Sequence, residues 1–141
     1  MENPRYDYSP IIDRPRLSWP DNARVAVWVI PNVEYFEFDR PALQFRPPPP
    51  EMPDVVNYSW RDYGSRVGIW RLMELLDRFG IKATVALNSQ VCVHHPRIME
   101  EMLKRGWELM GHGNTNSRGI VGLSEDAERE VIESTIREIR E

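Results

Sequence analysis

An acidic and an imidazole side chain stand out in this sequence as a pair that could do chemistry. Glu34 and His112 each follow a short apolar segment, and His112 has a glycine on either side. A carboxylate and an imidazole can act as base and acid, or together they can hold a divalent metal ion. Flanking glycines let the backbone approach a ligand. We therefore predict that Glu34 and His112 are catalytic residues or metal ligands.

Ordinary structural roles are the alternatives for these residues. Glu34 could be a solvated loop carboxylate paired with Arg61 or Arg66, and His112 could simply hydrogen-bond the backbone. Asn116 lies four residues after His112, and its amide could bind substrate or be a weak metal ligand. The glycine, asparagine, threonine and serine residues around it are equally typical of a turn.

Two further residues are candidates for substrate binding. Asn88 follows the second apolar segment, at a position equivalent to that of Glu34. Trp60 belongs to an aromatic group between residues 35 and 63 that either packs over the fold or forms a platform for a sugar. Packing is the more common role of such a group. His94 and His95 precede a helix start at Pro96, where a structural or surface role is expected.

The elements that must position these residues follow from hydrophobic periodicity. Residues 24–30, 81–87 and 107–110 are short, apolar runs, which predict buried strands of a parallel sheet. Helical patterns follow each strand, and Gly80, Gly106 and Ser124 mark helix ends and a helix start. This order predicts an α/β fold with right-handed crossovers. The loops after parallel strands form one active face, so Glu34, Asn88 and His112 should share a rim.

The domain organisation is predicted to be simple. Residues 1–22 contain four prolines and no periodicity, which predicts an arm lying on the domain and ending in a turn. Residues 23–141 would form the domain, with a long loop at 35–62 that includes a polyproline run. Three strands leave two unpaired edges, so we predict the N-terminal part of a larger α/β domain, such as a barrel.

Composition excludes several classes of protein. The 141 residues are 41% hydrophobic and 28% charged, which is typical of a globular domain and not of a disordered chain. The net charge is −4 without a basic region, so no nucleic-acid partner is expected. No apolar run approaches the ~20 residues of a membrane helix, and no signal peptide is visible. A single cysteine, Cys92, excludes an internal disulfide, and a cytoplasmic location is expected.

Four segments resemble the polysaccharide deacetylase superfamily, the NodB-homology fold, and within it the allantoinase-like, cytoplasmic branch. They are residues 27–34, 62–71, 83–88 and 106–113, of which DYGSRVGIWR and RGWELMGHG are the most specific. The resemblance implies a distorted (β/α) barrel that hydrolyses carbon–nitrogen bonds other than peptide bonds. N-acetyl groups of sugars, or ureides, would be the substrates.

The same resemblance implies one divalent metal ion, often zinc, held by an aspartate and two histidines, with a second aspartate as base. Glu34 falls at the metal aspartate, His112 at the first histidine, Asn116 at the second, and Val33 at the base. One ligand is thus replaced by a weaker one, and the usual base is missing. We therefore expect zinc to be weakly bound or absent.

The sequence is consistent with two functions of different class. The first is a hydrolase for an amide or ureide of a carbohydrate or small molecule. The alternative is a non-catalytic, carbohydrate- or small-ligand-binding barrel that has lost the metal and base residues. Val33 and Asn116 are the positions that separate the two. The two unpaired sheet edges also predict that the 141-residue chain is marginally stable or forms homo-oligomers.

Overall fold

The computed structural model describes residues 5–43 and 52–141, in which a parallel three-stranded sheet carries helices. The strands are β1 (Asn32–Val33), β2 (Thr84–Leu87) and β3 (Glu108–Gly111), in the order β1-β2-β3. Asn32 pairs with Ala86, and Thr84 pairs with Glu108. The predicted α/β class and the parallel strands are confirmed.

The helices alternate with the strands along the described chain. They are α1 (Val55–Tyr63), α2 (Ile69–Arg78), α3 (Gln90–His94), α4 (Pro96–Lys104) and α5 (Glu125–Arg140). A π-helical turn at Gly64–Gly68 joins α1 to α2. No helix among the residues that the structure describes is long and apolar enough to cross a membrane.

The predicted helix ends at Gly80 and Gly106 and the predicted helix start at Ser124 rest on local chemistry and are confirmed. Gly80 follows α2 with a φ of +62°, and Gly106 follows α4 with a φ of +64°. Both lie in the left-handed region that glycine occupies without strain. The Ser124 hydroxyl accepts a hydrogen bond from the Ala127 N–H at 3.3 Å and so caps α5.

The first strand differs from its prediction. The paired residues are 32–33 and not 24–30, and Val27 is 81% exposed instead of buried on both faces. The carbonyls of Val29 and Pro31 accept hydrogen bonds from Thr84 and Ala86 at 3.1 and 3.0 Å. Pro31 does not end the contact with β2, because proline lacks only the donor and keeps its carbonyl. The residues before Val29 are in no strand of the described chain.

The loop predicted at 35–62 is wrong for residues 55–62, which belong to α1. The Asp54 side chain caps this helix by accepting a hydrogen bond from the Asn57 N–H at 3.1 Å. The helix was not apparent from periodicity because Val55, Val56 and Trp60 are all exposed. Residues 47–50, the first part of the polyproline run, lie outside the described residues.

The core lies between β2 and the helices around it. Its fully buried apolar side chains come from β2 and from α2, α3 and α4, and they are Met73, Val85, Leu87, Val91 and Met102. The central strand is covered because it has a neighbour on each side and helices over it.

Two features of the packing differ from what hydrophobicity alone suggests. On α5, Thr135 and Ile139 face β3, but the apolar side chains of Ile132 and Ile136 are exposed. The apolar stripe is wider than the single edge strand that it covers. The described part of the arm, residues 5–22, is almost wholly exposed and does not pack on the domain, although it ends in the expected turn at Pro20–Asn22.

Candidate functional site

The two predicted catalytic residues meet at one edge of the sheet. Glu34 follows β1 directly, and His112 follows β3 directly. The Glu34 Oε1 atom lies 3.5 Å from the His112 Nε2 atom, and the two side chains are 21% and 44% exposed. The two atoms are within ion-pair distance and slightly beyond the ~3.2 Å of a direct hydrogen bond, so one water or a small approach connects them for proton transfer. Both side chains are open enough to meet a ligand. The parallel strands thus bring Glu34 and His112 to one rim of the sheet, as predicted. The catalytic roles of the two residues stay a prediction.

Asn88 lies beneath this pair with no exposed surface. Its Oδ1 accepts a hydrogen bond from the Tyr35 N–H at 2.9 Å, and its Nδ2 donates to the His112 carbonyl at 2.6 Å. Nδ2 also lies 3.3 Å from the Asn116 Oδ1 atom. One buried amide thus connects the ends of all three strands. These contacts are structural, and the predicted contact of Asn88 with substrate stays a prediction that its burial does not favour.

Tyr35 fixes the backbone immediately after Glu34. Its carbonyl accepts hydrogen bonds from the Thr115 hydroxyl at 3.0 Å and from the Asn116 N–H at 2.9 Å. Its ring stacks on His94, with the centroids 4.3 Å apart and the planes 7° from parallel. Burial raises the pKa of the Tyr35 phenol. Sequence reasoning missed this role, and its only sequence signal is the position next to Glu34.

A second set of contacts joins the loops after β2 and β3. The Ser89 N–H donates to the Gly113 carbonyl at 3.0 Å, and the Gln90 N–H donates to the Asn114 carbonyl at 3.2 Å. The Asn114 amide donates to the hydroxyls of Ser89 and Ser134 at 3.0 and 3.2 Å. The polar residues expected at the strand ends do lie together, but Ser89 is buried and serves to fold the rim.

An ion pair holds the loop after β1 against the loop after β3. The Arg118 guanidinium binds Glu37 through two hydrogen bonds of 2.7 and 3.0 Å, and Arg40 binds the same carboxylate at 3.0 Å. The hydrogen bond to Glu37 raises the pKa of Arg118. Because Glu37 lies three residues after Glu34, this pair limits movement of the loop that carries the candidate base.

A cleft of about 350 Å³ opens beside Glu34, between the end of β1 and the turn from α1 to α2. Trp60, which is 71% exposed, and Phe36 form part of its wall. The Arg61 guanidinium carbon lies 4.7 Å from the centroid of the Phe36 ring and 5.3 Å from that of Trp60. Trp60 thus lines the same cleft as Glu34. Arg66, a possible partner of Glu34, instead pairs with Asp62.

The donor atoms near the pair fit a tightly held zinc ion poorly. Glu34 and His112 supply one carboxylate and one imidazole, and the third candidate, the Asn116 Oδ1 atom, accepts from Asn88. Within residues 5–43 and 52–141, no three histidine, cysteine, aspartate or glutamate side chains group as metal ligands. A side-chain amide is a weak ligand for a borderline-soft ion.

Comparisons with known proteins agree on one family. The model of the polysaccharide deacetylase family matches residues 49–141. The chain is similar to the crystal structure of Puue allantoinase, with 25% identity, a TM-score of 0.72, and coverage of 94% of this chain and 49% of that one. It is also similar to a "probable Polysaccharide deacetylase" from Pseudomonas aeruginosa PAO1, with 25% identity, a TM-score of 0.71, and coverage of 86% and 44%. The chain therefore spans about half the length of these structures. No curated protein matches it.

Proposed function

Because the chain belongs to the polysaccharide deacetylase family, we propose that the whole protein hydrolyses a carbon–nitrogen bond other than a peptide bond, such as that of an N-acetyl or ureide group. The observation that carries this proposal is the 3.5 Å contact of Glu34 with His112 at the edge of a cleft. The likeness to an allantoinase and to a deacetylase structure supports the reaction class. The proposal includes a distorted (β/α) barrel for the whole protein.

The proposed reaction uses Glu34 as base and His112 as acid. Water attacks the carbonyl carbon of the substrate, and Glu34 accepts a proton from that water. A protonated His112 donates a proton to the leaving nitrogen as the carbon–nitrogen bond breaks. The proton on Glu34 then returns to His112 across the 3.5 Å contact, which restores both groups.

No step of this proposal uses a metal ion. The carboxylate, the imidazole and the partly engaged Asn116 amide support weak or absent zinc binding. In this proposal Asn116 contacts the substrate or binds a metal only weakly. Trp60, which lines the same cleft as Glu34, also contacts the substrate. Asn88 positions the loops from below. A cytoplasmic location and a homo-oligomeric state also belong to the proposal.

The test replaces Glu34 with Gln and His112 with Asn in the whole protein. Hydrolysis of an N-acetylated sugar and of a ureide is then followed by release of the amine. Because a positioned acid or base contributes roughly 10²–10⁴-fold, each variant should lose at least about 100-fold in kcat. Glu74→Gln is the matched control, since it removes an exposed carboxylate of α2 outside the cleft. Full activity of both site variants would refute the assignment.

A further inference from the structure

A second, smaller cavity adjoins the cleft beside Glu34. Its walls come from the loop after β1, from α1 and the turn that follows it, and from the residue before α4, and they are Glu34, Tyr35, Phe36, Tyr58, Arg61, Asp62, Ser65 and His95. Glu34 and Ser65 also line the larger cleft, so the two spaces meet at these residues. The volume of about 20 Å³ exceeds the ~10–15 Å³ that one water molecule requires. The small cavity therefore has room for a single water.

The small cavity also has the polar groups that a held water needs. Glu34 contributes a carboxylate, Ser65 a hydroxyl and His95 an imidazole. Among the residues that the structure describes, none hydrogen-bonds the Ser65 hydroxyl or the imidazole nitrogens of His95. Asp62, in contrast, is engaged by Arg66. A held water makes about three hydrogen bonds, which is the number that Glu34, Ser65 and His95 offer.

His95 has the protonation state that suits this role. Burial lowers its pKa, so the imidazole is neutral at neutral pH. A neutral imidazole has one nitrogen that donates and one that accepts a hydrogen bond. The ring also lies against Tyr35, with the centroids 6.1 Å apart and the planes tilted by 54°. His95 can therefore accept a hydrogen bond from a water beside Glu34.

We propose that the small cavity holds the water that attacks the substrate, and that Ser65 and His95 are the residues that position it. This inference rests on the proposed function, in which Glu34 takes a proton from the attacking water. The water donates one hydrogen bond to Glu34 and one to His95, and it accepts one from Ser65. Its second lone pair remains for the carbonyl carbon of a substrate in the cleft. As the oxygen–carbon bond forms, the proton passes to Glu34.

A high-resolution crystal structure of the full chain tests whether the water is held. We expect an ordered water within about 3.2 Å of the Glu34 carboxylate and of either the His95 imidazole or the Ser65 hydroxyl. A structure without such a water overturns the inference, whatever the activity of the protein.

The kinetic test is His95→Phe in the whole protein, assayed on the N-acetylated sugar and the ureide. This variant keeps a ring against Tyr35 and removes the hydrogen bond to the water. The loss of one hydrogen bond should lower kcat about tenfold and leave KM unchanged. His95→Gln restores a hydrogen-bonding group and should recover most of kcat. His94→Phe is the matched control, because its ring stacks on Tyr35 but does not line the small cavity.

An equal loss of kcat in His94→Phe and His95→Phe contradicts the positioning role, as does a His95→Gln variant as slow as His95→Phe. If His95→Phe does not fold, Ser65→Ala decides: a tenfold lower kcat at unchanged KM supports the inference, and an unchanged kcat contradicts it. The proposed function fails separately, since only a fully active Glu34→Gln variant refutes it. A fully active His95→Phe variant refutes the positioning role and leaves the function of Glu34 intact.

Discussion

Replacing Asn88 with alanine should destabilise the fold more than any other single polar substitution at this rim. The side chain is fully buried and serves three neighbours at the ends of three strands. Asn88→Ala removes the acceptor of the Tyr35 N–H at 2.9 Å and the donor to the His112 carbonyl at 2.6 Å. Alanine cannot replace either contact. Because the position is fully buried, bulk solvent does not reach it to replace them either.

The magnitude follows from the two main-chain groups that lose their partner. Each buried polar group without a partner costs about 1–3 kcal/mol, so the free energy of unfolding should fall by about 2–6 kcal/mol. That is a large fraction of the ~5–15 kcal/mol by which a domain is stable. The loss should also separate Glu34 from His112, since Asn88 fixes the backbone next to each of them.

Urea unfolding followed by tryptophan fluorescence measures this loss, and hydrogen exchange of the Tyr35 amide locates it. Asn114→Ala is the matched control. Its amide also makes two hydrogen bonds, but both go to serine hydroxyls, which can rotate to other partners. The control should therefore cost only about 1 kcal/mol. An equal loss for both variants, or a loss below about 1 kcal/mol for Asn88→Ala, would refute the reasoning.

Three further predictions concern metal, assembly and pH. Elemental analysis should find substoichiometric zinc, and Asn116→His should raise zinc affinity by adding an imidazole; a full equivalent in the unaltered protein contradicts this. The 141-residue chain should self-associate in size-exclusion chromatography through the open edges of β1 and β3, whereas a monomer with one sharp unfolding transition contradicts it. Burial, and to a smaller extent the neighbouring His94, lowers the pKa of His95 below its ordinary value of about 6.5. As the pH falls below about 6.5, His95 therefore takes up a proton more readily in the unfolded chain than in the folded one. The contribution of neutral His95 to the free energy of unfolding is complete above that pH and is lost on acidification. In His95→Gln the free energy of unfolding should therefore fall less steeply as the pH is lowered, and equal slopes in the two proteins would count against this.

The sequence by itself was sufficient for the sheet type and for the meeting of Glu34 with His112. Both conclusions depend on local patterns and one general rule. Apolar runs separated by helical patterns imply parallel strands, and parallel strands end at a common edge. A carboxylate and an imidazole placed directly after two such strands are therefore brought together by topology alone. The sequence also predicted the helix ends at Gly80 and Gly106 and the helix start at Ser124, because a helix terminus depends on residues that are neighbours in the chain.

Only the tertiary structure decided which residues in and after the first apolar run pair with β2. Residues 24–30 are as apolar as a buried strand, yet the pairing at 32–33 depends on where Thr84 and Ala86 present their N–H groups. The same holds for Asn88, whose buried side chain hydrogen-bonds the loops after β1 and β3. Its three partners lie far from it in the sequence, so no local pattern could reveal its burial. Long-range contacts determine which polar residues at a strand end face solvent and which support those that do.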